Sequence, residues 1–175
     1  MDILDKFNIK IINNKRYYEL NFSKKIYGYE LENTIPYLFK YRDLVVQTSR
    51  WNQLAVQITQ YLYEKNPKND EELLSIHYDF SNSPVFSREK KTNFSSFKHL
   101  FLNTNHPAGH SFRSIQTILL FFGVDLSECY FLVRRHIVAE PAEIKAYFRN
   151  YTILQYKKFL QYKGFDKIKI PSLIK

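Results

Sequence analysis

The stretch Phe7-Asn8-Ile9-Lys10-Ile11-Ile12-Asn13-Asn14-Lys15-Arg16-Tyr17-Tyr18-Glu19-Leu20-Asn21-Phe22 decides the fold class. Phe7, Ile9 and Ile11 alternate with Asn8 and Lys10, and Tyr18, Leu20 and Phe22 alternate with Glu19 and Asn21. A period of two is that of a half-buried strand, and Asn13-Asn14 between the runs supplies a turn, because asparagine tolerates positive φ. The chain therefore opens on a β-hairpin. Helical spacing dominates further on, so the expected class is α+β: a single compact domain with an N-terminal hairpin, four to five helices and a small sheet.

Outward from the hairpin, Thr34 and Pro36 read as a helix start, followed by an apolar stripe of Ile35, Leu38, Tyr41 and Val45. Ser49 is placed to cap a second helix. In it Trp51, Leu54, Ala55, Ile58, Tyr61 and Leu62 form the apolar face, and Arg50, Gln53, Gln57, Gln60 and Glu64 the wet one. Asp70-Glu71-Glu72 puts carboxylates in the first turn of a short helix reaching Ile76. Residues 77–96 lack periodicity and form the main internal candidate for a mobile or binding loop. A strand follows over Phe97–Leu102, then a helix capped by Ser111 and stopped by Gly123, then a strand over Cys129–Arg135. Whether the two late strands pair parallel through that helix or antiparallel stays open. Glu140-Pro141 opens a long last helix running to Lys163. The domain is expected to span 1–164, with 1–28 as a hairpin arm and 165–175 as a basic tail.

Composition narrows the function classes. At 175 residues and 45% hydrophobic content the chain is long enough for one real core. One cysteine, Cys129, excludes an intramolecular disulfide framework and a multi-Cys zinc site, and fits a cytoplasmic location. The start Met1-Asp2-Ile3-Leu4-Asp5 has no secretory pattern, and the longest apolar run, Ile118 to Val124, is far too short to span a bilayer. No membrane association is expected. Phe, Tyr, Asn, Lys and Ile, all with A/T-rich codons, dominate, which points to a low-GC bacterium, phage or plasmid and inflates lysine.

The formal charge is +9, and its distribution carries more than its size. Residues 144–175 hold +7, because eight Lys and Arg face only Asp166, while residues 67–143 sum to −1. On the expected last helix Ile144, Tyr147, Phe148, Tyr151, Leu154 and Phe159 face a core, and Lys145, Arg149, Tyr156 and Lys163 share a flank. These form a basic stripe with an exposed tyrosine, suited to phosphates and an unpaired base, and Lys157 extends the positive field. A solvated helix face in a lysine-rich chain accounts for the same pattern.

The densest polar constellation is Asn103-Thr104-Asn105-His106-Pro107-Ala108-Gly109-His110-Ser111, followed by Arg113. Backbone N–H groups at a helix start attract anions, Gly109 would admit a phosphate, and His and Arg add charged donors. The competing reading is a turn-rich connector. His106 and His110 are candidates for acid/base work. A metal role is not expected of them, since an HxxxH pair without a Glu or a third ligand is not a zinc motif. Arg134 and Arg135 end the late strand as further phosphate candidates, although alternation sends them to opposite faces.

No Walker A, GxGxxG or GxSxG pattern is present, so no cofactor is expected and no reaction is declared. The reading is of a non-enzymatic nucleic-acid-binding or nucleoprotein-associated protein that uses its basic C-terminal helix. One alternative is a metal-independent nuclease or phosphate-ester enzyme using His106 and His110 with Arg113 or Arg135. The other is a protein-binding inhibitor or regulatory module with an acidic partner.

Overall fold

The structure is a computed structural model, and it describes residues 3–136. Eight strands and three α-helices follow in the order β1 (Asn8–Ile12), β2 (Lys15–Leu20), β3 (Thr34–Tyr41), β4 (Leu44–Gln47), α1 (Trp51–Lys65), α2 (Asp70–Ser75), β5 (Phe86–Ser87), β6 (Ser95–Phe97), β7 (Leu100–Leu102), α3 (Ala108–Phe121) and β8 (Tyr130–Arg135). They make two antiparallel sheets, one of order β1-β2-β8-β3-β4 and one of order β5-β7-β6.

The opening hairpin forms where the alternation predicts, but its first strand does not bury the expected face, since Ile9 and Ile11 are 37% and 56% exposed. Ile12 pairs with Lys15 around Asn13 and Asn14, at φ 49° and 61°, and Tyr18, Leu20 and Phe22 are buried. Two positive φ values in a two-residue loop match the twist of the flanking strands. The inward faces of α1 and α3 also follow their spacing, with Leu54, Ala55, Ile58 and Leu62 on one and Phe112, Ile115, Ile118 and Leu119 on the other. α1 packs against α3, and the core they share with the sheet centres on Phe22, Phe39, Phe112 and Phe131.

Four expectations need correction. There are three α-helices and two antiparallel sheets among the described residues, in place of four to five helices and one small sheet. Thr34 to Val45 is a hairpin of β3 and β4 and not a helix. Isoleucine, tyrosine and phenylalanine favour the pleated conformation, and Pro36 is accommodated because the register against β8 shifts between Pro36 and Leu38. Phe97–Leu102 is also a hairpin, of β6 and β7, turning at Lys98 with φ 54°. The late strands therefore belong to different sheets, β7 to the smaller and β8 to the centre of the larger.

The helix starts differ as well. α1 is entered from Arg50, whose N–H bonds to the Thr48 hydroxyl, so Ser49 is not its cap. α3 begins at Ala108, and Ser111 inside it donates its hydroxyl back to the Pro107 carbonyl (3.2 Å). The expected long basic C-terminal helix, with Lys145, Arg149, Tyr156, Lys157 and Lys163, lies outside the described residues. No helix among the described residues is long and apolar enough to cross a membrane.

One contact fixes where α3 begins. A Cβ added at Gly109 would lie 2.1 Å from the Gly28 carbonyl oxygen, so the first turn of α3 rests directly on the 3₁₀ turn Gly28–Leu31. Gly109 serves this close approach, and the reading that it admits a phosphate is not needed to explain it. Gly109→Ala should lower stability by about 1–3 kcal/mol, as overpacking does, which a urea denaturation midpoint would detect. Gly123→Ala is the control: it meets open space at φ +74° and should cost only about 1–2 kcal/mol for the left-handed backbone.

Candidate functional site

The Asn103–Arg113 constellation lies on the connection from β7 into the first turns of α3. Its anchor is Asn103, buried at 6% exposure. The Asn103 N–H donates to the Val85 carbonyl (2.8 Å) and its side-chain amide to the Pro84 carbonyl (3.2 Å). The Asn103 carbonyl accepts two bonds, from the Tyr78 hydroxyl (2.8 Å) and from His106 Nε2 (3.1 Å). A buried asparagine with its polar groups so engaged is a rigid post for the loop.

That post sets the state of His106. A carbonyl can only accept, so the His106 proton sits on Nε2, and Nδ1 remains an acceptor without a hydrogen-bond partner among the described residues. The ring stands edge-on to Tyr78 (4.7 Å, 89°) and Phe80 (5.3 Å, 87°). Burial holds the imidazole below its ordinary pKa, the Asn103 carbonyl opposes this, and the neighbouring His110 adds to the lowering. Burial likewise pushes the Tyr78 phenol well above its usual range, so it stays a neutral donor.

His110 and Arg113 join His106 around the same ring. The His110 ring centroid is 4.7 Å from that of Phe80, and the Arg113 guanidinium lies 5.3 Å from it. Arg113 also pairs with Asp79 at 3.0 Å, an exposed partner that an anion could displace at little cost. Arg134 and Arg135 do not join this group. Arg134, opposite Ile35 on β3, is influenced by Tyr17 and Tyr37, while Arg135 is opposite Thr34 and shares the face of Phe131 and Val133. Both are half-buried, which lowers their pKa values, and neither lines the clefts described next.

Two clefts adjoin at His106. One, of about 500 Å³, lies between the start of α1 and the loop before β6, with Arg50, Trp51, Asn93 and Phe94 on its walls. The other, of about 360 Å³, is bounded by Phe80, Lys91 and His110. Phe94, Asn105 and His106 line both. Hydrogen bonds tie the two loops that make the shared wall: Asn93 Nδ2 donates to Asn105 Oδ1 (3.2 Å), and the Thr104 hydroxyl donates to the Asn93 carbonyl (2.9 Å). Lys91 lies 6.0 Å from the centre of the Phe94 ring, so each cleft mixes aromatic faces, cations and amides.

Sequence reasoning named His106, His110, Arg113 and the Asn103–Ser111 loop but missed Arg50, Trp51, Phe80, Lys91 and Phe94 as their neighbours. The signal available for three of them was their place in or beside the aperiodic 77–96 segment. Among the described residues no group of three His, Cys, Asp or Glu is arranged to hold a metal. No family model, no curated protein and no solved structure matches the chain.

The lowered His106 pKa makes stability depend on pH with a definite sign. The unfolded imidazole binds a proton near its ordinary 6.5 and the folded one only at lower pH, so the unfolded state gains protons first on acidification. The contribution is fully present above the unfolded value and is lost as pH falls through the folded one. In wild type the urea midpoint should drop between about pH 7.5 and 5, and His106→Gln should remove part of that slope. An unchanged slope in the variant would assign the acid sensitivity to other groups.

Proposed function

We propose that the protein binds single-stranded nucleic acid in the joined clefts around His106. The observation that carries this reading is the shared wall of Phe94, Asn105 and His106, with aromatic rings and cations on both sides of it. Unpaired bases need π faces on which to stack, and the backbone needs cations. A ring with a cation beside it supplies both at one position. Trp51 and Phe94 offer the faces, Arg50, Lys91 and Arg113 the charge, and the Asn93 and Asn105 amides can bond to base edges.

The wider charge distribution supports the same partner. The chain carries +9, and the +7 of residues 144–175 adds long-range attraction for a polyanion whatever conformation those residues take. Binding of this kind is ionic in part and therefore weakens with salt.

An enzymatic reading has one observation in its favour. His106 presents an Nδ1 without a hydrogen-bond partner among the described residues, on a ring whose pKa is lowered, the state a general base needs near neutral pH. It would make the site a metal-independent nuclease. Incubation of a labelled RNA with the protein in EDTA separates the two: turnover abolished by His106→Gln supports cleavage, and intact RNA supports binding alone.

Binding itself is measurable through the chain's one tryptophan, Trp51, which lines the larger cleft. A single-stranded oligonucleotide should quench its fluorescence at low ionic strength, and the affinity should fall as salt is raised. Phe94→Ala should weaken binding by about 1–3 kcal/mol, the usual cost of one lost stacking partner. The double charge reversal Arg50→Glu with Lys91→Glu should weaken it further and flatten the salt dependence. No affinity for any oligonucleotide at low salt, or affinity indifferent to these variants, overturns the proposal.

A further inference from the structure

A second aromatic group lies next to the clefts and has no role in forming them. Tyr27 and Tyr29 are 49% and 59% exposed, and their rings stack on each other in solvent at 5.7 Å and 14°. Lys25 lies 5.2 Å from the centre of the Tyr27 ring. An exposed pair of parallel rings with a cation beside it is again the combination that unpaired bases and phosphates take.

The pair is held in place. Tyr27 precedes the 3₁₀ turn Gly28–Leu31, and its N–H donates to Glu30 Oε2 at 2.8 Å. Glu30 is buried at 5% exposure and is ion-paired to Lys6, while Ile26 before the turn and Leu31 at its end are in the core. The backbone carrying both tyrosines is therefore fixed before any ligand arrives, which reduces the ordering cost of binding.

The pair is also continuous with the clefts. Gly28, between the two tyrosines, backs onto the His110 ring: a Cβ there would lie 3.3 Å from His110 Cδ2. His110 in turn lines the smaller cleft with Phe80 and His106. From the larger cleft, which Trp51 and His106 both line, neighbouring contacts thus run from His106 through Phe80 and His110 to the Tyr27–Tyr29 turn.

We infer that Tyr27 and Tyr29 form a stacking platform for further bases of the same strand, extending the site beyond His110. This rests on the reading of the clefts as a single-strand site, and it commits to the bases of that strand as the occupant. A cleft-only site would be filled by a short oligonucleotide. A site with the platform gains affinity as the strand lengthens.

The test is the length dependence of binding, measured by anisotropy with labelled oligothymidylates of 4, 8 and 12 nucleotides at low ionic strength. Wild type should bind the 12-mer at least tenfold more tightly than the 4-mer. The double variant Tyr27→Ala with Tyr29→Ala should lose about tenfold on the 12-mer while staying within about twofold on the 4-mer, the platform's share being one or two stacked bases. Tyr27→Phe with Tyr29→Phe should restore the wild-type profile. Both side chains are exposed, so the variants should keep the wild-type unfolding midpoint. An unchanged 12-mer affinity in the alanine variant, or equal losses on 4-mer and 12-mer, overturns the platform while leaving the cleft reading intact. Wild type that binds no oligothymidylate overturns both.

Discussion

Phe131 is the residue on which the molecule closes. The larger sheet consists of two local hairpins, β1–β2 and β3–β4, and the strand that joins them is β8, which pairs with β2 on one side and β3 on the other. Phe131 sits on that strand with Phe22 at 5.2 Å, Phe39 at 6.1 Å, Phe112 at 6.3 Å and Trp51 at 5.7 Å. It therefore touches the segment after the first hairpin, the second hairpin and both long helices. Large buried rings dominate core energetics through area and geometry together, and truncating one typically costs about 3–5 kcal/mol. Here the loss would also loosen the packing that holds β8, and through its backbone pairing both hairpins, onto the helices.

The candidate site is built onto this core with few intermediates. Trp51 packs edgewise on Phe131 and donates Nε1–H to the Thr34 carbonyl (3.0 Å), and the same side chain lines the larger cleft. α3 brings Phe112 to the aromatic cluster and, two residues earlier and on the opposite side of the helix, His110 to the smaller cleft. Because Gly109 sits against Gly28, the turn carrying the exposed tyrosines moves with α3 and not independently of it. Rigid elements thus place the ends of the row, while the loops at 91–95 and 103–107 fill its middle and are pinned by the Asn93, Thr104 and Asn105 hydrogen bonds.

Much of this was legible in the sequence, and the failures have physical causes. The buried faces of α1 and α3 could be read because each helix has one wet face, so period and burial coincide; on the opening hairpin the period of two located the strands, although Ile9 and Ile11 are exposed and Tyr17 and Tyr18 are both buried. β3 could not: Ile35 and Phe39 lie on either side of the bulge and both are buried, so apolar residues fall at helical spacings by coincidence. The turns hid it further. Arg42 at φ 52° and Lys98 at φ 54° make tight reversals without the glycine that usually announces them, in a chain with only four glycines. At the site, Asn103, His106, His110 and Arg113 stood out as a polar run, but Phe80, Phe94 and Trp51 did not. With aromatics at 17% of the chain, an accessible ring has no sequence mark that separates it from a core ring.

That aromatic surplus also bears on how the proposed site would discriminate. Three of the cations near it come paired with rings: Lys91 with Phe94, Arg113 with Phe80, Lys25 with Tyr27. A phosphate drawn to one of them is brought to the edge of a π face, where an unstacked base gains contact and a base locked in a duplex does not. Lone surface lysines would attract double- and single-stranded polyanions alike. Pairing charge with a ring would tie part of the affinity to the free base, so selectivity for single strands would arise from the composition of the surface before any hydrogen bond reads a base edge. The amides of Asn93 and Asn105, already bonded to each other, would then add preference among bases only where an edge can replace that bond.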